Sequence, residues 1–439
     1  MITNFKNLAR NPLREKALLI AEAGYEAIDI ESVISQRIKL KNNKLSIDHG
    51  AMTRHSVDLK NYKNVFVIGI GKGSALACAG LAKILSRRLT KGLALDIQPP
   101  HRFTRIRTRT NTDKKLEIFT GTHPLPSLQN VKATQEIIKL AKNAGERDLI
   151  ISFICGGGSA LLCSSKSELN ASRTIFKELT KKGANIVELN TVRKHLSEIK
   201  GDGLAKIAYP ATIISLIVSD VIGNDLSMVA SGPTVNDKTT KKDAEKIWQK
   251  YQSYEAKPRK IKFLEAPKDK KYFQKVKNIL FLSNREPILA MVEKAKKLGF
   301  KPKIYSLKIQ GEAKKSLLPL MKAIKKNSAI LAAGETTVKL GNGLKGKGGR
   351  NTEAILGAIA EISNDLLIMS FASDGRDNTE AAGALADYLT IEKSKKLNLD
   401  PQKFLDNHGS FNFFKKTGDL IFTKPKTFNV SDLMIILKQ

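Results

Sequence analysis

Cysteine is scarce, with Cys78, Cys155 and Cys163 the only three in 439 residues. An odd count without metal-type spacing argues against a disulfide framework and fits a reducing, cytoplasmic setting. Long apolar runs are missing too. No stretch approaches the ~18 residues of a membrane-spanning helix, and the opening MITNFKNLARNPLREK has no apolar signal core, so neither secretion nor membrane insertion is expected. Aromatics make up 6% of the chain, with Trp248 the single tryptophan. Acid is short relative to base: 42 acidic against 75 basic residues leave a formal charge of +33. Such a balance invites a nucleic-acid reading. The lysines, however, recur along the whole length at surface-type helix positions, as in AEKIWQKY and VEKAKKLG. The one concentrated basic stretch, residues 101–115 with Arg102, Arg105, Arg107 and Arg109, alternates Arg with Thr and lacks aromatics for base stacking. The charge is read as lysine bias on a solvated face, with no specific nucleic acid and no membrane as partner.

What the chain does have is glycine in three loops. VFVIGIGKGSALA (65–77), LIISFICGGGSALL (149–162) and GNGLKGKGGRNTEAIL (341–356) each follow an apolar run and open a helical pattern. Lys72, Ser159, Lys347 and Arg350 stand at the tips. Flexible backbone N–H groups leading into a helix N-terminus make an anion site, so Gly71, Gly156, Gly157, Gly158 and Ser159, with Gly348, Gly349 and Asn351, form the candidate nucleotide-binding set. Neither standard fingerprint is met. Ser74 stands where G-x-G-x-x-G needs glycine, and Gly348 replaces the Ser or Thr of a P-loop. The loops indicate an enzyme that handles nucleotide phosphates without a true P-loop.

Residues 4–38 read as helices, and from Val65 the texture changes. Apolar runs at 65–70, 93–97, 116–120, 149–154 and 213–219 alternate with helical segments at 132–143 and 171–182, the pattern of parallel strands with crossover helices. A polar, Lys-rich stretch at 238–277 interrupts it. A second series follows at 279–282, 288–298, 303–307, 329–331, 367–371 and 419–422. The predicted division is a Rossmann-like domain over 1–265 and a second α/β domain over 266–439. Asp220 ends the run IISLIVSD and Asp374 ends LLIMSFASD. Ligands of open α/β sheets sit beyond the strands' carboxyl ends, so these carboxylates and the glycine loops are expected to converge on a cleft between two domains.

Nine ordered motifs span residues 69–437: GIGKGSA, GTHPLP, CGGGSALL, LNTVRKHLSEIKGDGLA, SDVIGNDLSMVASGPTVND, AGETTVKL, GKGGRNTE, SDGRDNTEAAGALAD and NVSDLMIIL. Together they closely resemble the glycerate 2-kinase family, the group with a MOFRL C-terminal domain. The resemblance implies two intertwined three-layer α/β/α domains with mainly parallel sheets flanking a central cleft. It implies transfer of the γ-phosphoryl of ATP to the 2-hydroxyl of D-glycerate with Mg2+ or another divalent cation. It places Lys72 at the phosphates, Arg350 on a carboxylate or phosphate, and Asp374 at the attacking hydroxyl as base or orienter. Asp220 and Asp225 become the metal carboxylates. Asp374 has a competing use as the cap of a helix starting near Asn378, and Asp220 as a turn residue bonded to its own backbone. His123 and His195 are read as structural.

This chain departs from the family pattern in four places. TKPKTFNV (423–430) stands for TGPTGTNV, the 374–384 segment is one residue short, Asp202 replaces the second glycine of KGGxLA, and Cys155 stands where serine is common. Other readings are a kinase for a different small 2-hydroxy acid, a hydroxypyruvate-reductase-type enzyme, which the missing G-x-G-x-x-G disfavours, and a basic nucleic-acid-binding protein. The expected assembly is a monomer or homodimer.

Overall fold

The computed structural model describes residues 2–50, 53–97, 115–252, 261–340, 346–424 and 427–439. Most of the basic stretch 101–115, the first residues of the third glycine loop (341–345) and two residues of the altered 423–430 loop lie outside these. Among the described residues, no helix is long and apolar enough to cross a membrane.

The chain packs as two compact units, one of Val33–Phe281 and one of Met1–Ser32 with Leu282–Gln439. In the first, β1 (Ile38–Lys41), β2 (Lys44–Asp48) and β3 (Arg54–Asp58) form an antiparallel sheet. The larger sheet holds β4 (Asn64–Ile70), β5 (Lys91–Asp96), β6 (Leu116–Thr120), β7 (Asp148–Ile154), β8 (Thr212–Val218) and β9 (Val276–Leu282) in the order β6-β5-β4-β7-β8-β9. Pairing from β6 across to β8 is parallel. β7 is buried along its whole length, which is why the run LIISFI carries no polar alternation. Helices Leu128–Lys142 and Gly203–Ala208 contribute Ile137, Ala141, Leu204 and Ala208 to a core shared with Ile68, Ile150 and Ile213.

The second unit contains β10 (Lys301–Ile309), β11 (Ser328–Gly334), β12 (Leu366–Ala372), β13 (Gly383–Ala386), β14 (Leu420–Ile421) and β15 (Asp432–Lys438), ordered β10-β11-β15-β12-β13-β14. Here the expectation of a mainly parallel sheet needs correction. β10–β11 is parallel, but β15 runs antiparallel between β11 and β12, and β12–β13–β14 is antiparallel as well. β12 and β15 are apolar runs because both faces are covered, and two-sided burial says nothing about strand direction.

The units also divide the chain differently from the boundary at 265 and 266. The N-terminal helix Pro12–Glu26, capped by Asn11 with proline at its start, buries Leu18, Ala21 and Tyr25 in the core of the second unit, among Ile288, Leu367 and Ile435. Its fully buried Arg14 is paired with Asp387 at 2.5 Å and Asp419 at 2.8 Å. Breaking a buried pair on one side typically costs about 3–5 kcal/mol, so the ion pairs fix this segment to the C-terminal sheet.

Candidate active site

In the first unit, β4 and β7 are neighbours where the strand order reverses, with β5 and β6 on one side and β8 and β9 on the other. The first two glycine loops leave these two strands, at the position where open α/β sheets bind ligands. Gly71 has φ +110° and Gly157 φ +83°, backbone that L side chains rarely adopt. The loops run edge to edge: the Lys72 N–H donates to the Gly156 carbonyl at 2.9 Å, and the Cys155 N–H to that of Ile70 at 2.8 Å. A Cβ at Gly71 would collide with the Cys155 carbonyl, and one at Gly158 would lie 2.5 Å from Ala230 Cβ. Ser159 Oγ is 2.8 Å from Ser231 Oγ, itself 3.1 Å from Asn190 Oδ1.

The first turn of helix Ser74–Leu85 is met by a carboxylate of the same sheet. Asp96, at the end of β5, accepts the Ala75 N–H at 3.0 Å and the Ile97 N–H at 2.7 Å. The helix dipole is already faced by a carboxylate. Burial and Asp96 push the Cys78 and Cys155 thiols up, so both remain protonated.

Cationic side chains gather at the second loop instead. A Cβ placed on Gly157 would lie 3.2 Å from Lys72 Cγ and 3.5 Å from His123 Cδ2. Helix Ile186–Leu196 supplies Arg193, whose guanidinium lies 5.3 Å from the ring centroid of Phe176. Part of His123 is open to solvent, yet desolvation of its ring, then Lys72 and Arg193, push its pKa down to about 4. It is therefore a neutral imidazole at physiological pH. Burial alone lowers Arg193 to about 10. His123, read as structural from its Pro-rich turn, thus lies against Lys72 and Gly157. His195 does have a structural place: it is buried, with Nδ1 2.8 Å from the Leu264 carbonyl and Nε2 3.0 Å from Thr239 Oγ1.

In the second unit the third loop opens helix Arg350–Ala358. Its N-terminus is again occupied from within. Asp377 accepts the N–H groups of Asn351 and Thr352, each at 3.0 Å, and Asn351 Nδ2 at 3.2 Å. Asn351 Oδ1 accepts from Ser370 Oγ at 2.6 Å, and the residue is buried. Gly349 packs on Asp377, and a Cβ on Gly348 would lie 2.5 Å from Ser410 Oγ. In this arrangement the Asn351 side chain and the space beside Gly348 and Gly349 are taken up by Asp377, Ser370 and Ser410.

Arg350 is held by two carboxylates. Nη1 donates to Glu335 Oε1 at 2.6 Å, Nη2 to Asp432 Oδ1 at 3.2 Å, and Nε lies 2.5 Å from Asp432 Oδ2. Burial opposes the charge of Arg350, but Asp432 and Glu335 outweigh it and raise its pKa. Asp432 is 1% exposed on its side chain, and burial pushes its carboxyl up to about 7 even with Arg350 alongside. Asp374 is half-buried and accepts the Arg376 N–H at 3.1 Å. No helix begins near Asn378, so the capping alternative for Asp374 falls away; Asp377 is the residue that caps. Nearby is Tyr25 of the N-terminal helix, whose hydroxyl donates to the Ala372 carbonyl at 3.0 Å and whose pKa is raised by burial, Asp374 and Asp432. In the altered 423–430 loop, Thr427 Oγ1 donates to the Ser373 carbonyl at 2.5 Å.

The two metal candidates differ. Asp220 is half-buried, its carboxylate pressed so closely on Gly156 that a Cβ there would collide with it. Asp225 is exposed, and its Oδ1 accepts the Ser227 N–H at 2.9 Å, closing a turn. Among the described residues, no three or more His, Cys, Asp or Glu side chains come together as a metal site.

Paired glycine loops at a strand-order reversal are the arrangement of a doubly wound α/β fold with its ligand site at the switch point. The chain belongs to the glycerate 2-kinase family. Residues 16–265 match the family described as a domain of unknown function, DUF4147, and residues 328–432 match the MOFRL family. A glycerate 2-kinase of Pyrococcus horikoshii is 31% identical, with 97% of each chain covered. A D-glycerate 2-kinase of Thermotoga maritima is 32% identical over 85% of this chain and 91% of its own. The crystal structure of a glycerate kinase from Thermotoga maritima superposes with a TM-score of 0.80 at 28% identity, covering 97% of this chain and 99% of that one.

Proposed function

We propose that this protein transfers the γ-phosphoryl group of ATP to the 2-hydroxyl of D-glycerate, giving 2-phosphoglycerate and ADP. The observation that carries the reading is the packing of Lys72 and His123 against the Gly157 turn, with Arg193 near enough to act on His123; the glycerate 2-kinases named above give it its substrate. In phosphoryl transfer the protein chiefly positions the reactants and stabilises charge on the moving group. Lys72 and Arg193 supply that charge, and neutral His123 can donate a hydrogen bond to a phosphate oxygen. The 2-hydroxyl oxygen bonds to the γ-phosphorus as the bond to the bridging oxygen breaks, ADP leaves, and Asp374 takes the hydroxyl proton. Arg350 is the partner for the glycerate carboxylate. Its buried tie to Asp432 anchors it, and the half-exposed Glu335 is the contact a substrate carboxylate would replace.

A kinase site commonly holds Mg2+ with one or two carboxylates plus the substrate's phosphates. Asp220, which follows β8 and packs its carboxylate against Gly156, fits that role without a three-residue cluster, whereas Asp225 already serves its own turn. Bound there, the cation would neutralise phosphate oxygens. Cytoplasmic residence is part of the reading, since Cys78, Cys155 and Cys163 are buried free thiols. The test is incubation of purified protein with Mg-ATP and D-glycerate, with the phosphoglycerate isomers resolved. ADP and 2-phosphoglycerate in equal amounts are expected. Formation of 3-phosphoglycerate, absence of ADP, or hydroxypyruvate-dependent oxidation of NADH would overturn the reading.

A further inference from the structure

A cavity of about 880 Å³ lies in the first unit between the loop that follows β6 and helix Lys166–Lys181. Its floor is apolar, formed by Leu125, Pro126 and Phe176, and its rim is cationic, formed by Arg173, Lys177 and Lys181; no carboxylate lines it. Leu125 is 40% exposed. Arg173 is not loose: its Nε and Nη2 donate to the Pro126 carbonyl at 3.3 and 3.0 Å, fixing the loop against the helix.

The cavity adjoins the cation set through two of its lining residues. Phe176 carries the Arg193 guanidinium over its ring, and Thr122 directly precedes His123. One end of a ligand in the cavity would therefore face the groups that gather at Gly157. We infer that this cavity seats the base and ribose of the nucleotide, with its phosphates directed toward Arg193, His123 and Lys72. The inference rests on the kinase reading and adds the donor subsite to it. A purine is flat and apolar on its faces, which suits Leu125, Pro126 and Phe176. The polyanion attached to it suits a rim with no carboxylate. Glycerate has no apolar surface to cover and is far too small for 880 Å³.

The test uses the full chain and two calorimetric titrations in the presence of Mg2+, one with ADP and one with inorganic tripolyphosphate. Thr180 is an exposed helix residue on the cavity wall, so Thr180→Tyr fills the space without touching the core. Phe176→Ala removes the apolar wall as a second variant. We expect ADP to bind about tenfold or more weakly to Thr180→Tyr, while tripolyphosphate affinity stays within about twofold of the parent. Unchanged ADP affinity overturns the inference, as does equal weakening of both ligands. A parent protein that shows this pattern yet makes no 2-phosphoglycerate would contradict the proposed reaction and leave the nucleotide seat standing. Product formation with unaltered ADP binding in the variant would do the reverse.

Discussion

The loop at Gly157 and the loop at Gly349 look alike in sequence, each a glycine run into a helix with a cation close by, but their surroundings differ. At Gly157, desolvation of the ring, then Lys72 and Arg193, push His123 down to about 4. At Gly349, Arg350 is already satisfied by Glu335 and Asp432, and the helix N-terminus by Asp377. A glycine-rich turn therefore does not by itself make an anion site. What decides is whether the protein's own carboxylates reach it first. A carboxylate, Asp220, packs on Gly156 beside the first turn as well, and at the second Arg350 has to give up Glu335 before it can take an anion.

The sharpest way to break the contrast is to remove charge from the first unit. Lys72→Met should lower kcat by about 10²-fold or more, because a preorganised charge at the moving phosphoryl group is worth a few kcal/mol. Asp374→Asn should also depress kcat while leaving the KM for ATP nearly unchanged, since its proposed partner is the hydroxyl. Steady-state kinetics with each substrate varied would show it, and near-parental kcat in Lys72→Met would remove the first unit from the chemistry.

A smaller effect compares the two units' buried carboxyls. Asp202 and Asp432 are both pushed up to about 7, chiefly by burial. Asp202 Oδ2 accepts the Asp237 N–H at 3.0 Å, while its buried Oδ1 has no hydrogen-bond partner. A folded pKa above the unfolded value of about 4 contributes stability fully present below about 4 and lost as pH rises through about 7. Asp202→Asn should therefore lose Tm less steeply than the parent between pH 5 and 8. Parallel curves would show that Asp202 does not titrate in this window.

The first sheet was legible because its strands are apolar runs and its switch point is marked by glycine. GIGKGSA and CGGGSALL could be read as loops, and Lys72 as their cation, from sequence alone. What stayed hidden depends on partners far along the chain. Asp96 and Asp377 reach helix ends more than twenty residues away, and nothing in a local pattern announces that a helix N-terminus is taken. Strand-end position was the available signal for Asp96, as it was for Asp220. His123 and Arg193 sat inside quoted motifs, but only folding places His123 on Gly157 and within reach of Arg193. The direction of β15 was unreadable because two-sided burial erases alternation in parallel and antiparallel strands alike. The helix Pro12–Glu26 was foreseen as a helix; that it belongs with the C-terminal sheet follows from Arg14 meeting Asp387 and Asp419.

The central claim is that the nucleotide's phosphates are held by the first unit. It is tested most directly by titrating ADP with Mg2+ into Arg193→Ala and Arg350→Ala side by side at one ionic strength. The account predicts that Arg193→Ala weakens ADP binding about tenfold or more, while Arg350→Ala changes it by less than about twofold and instead raises the KM for glycerate. The contradicting result is the reverse order, with ADP affinity lost in Arg350→Ala and kept in Arg193→Ala.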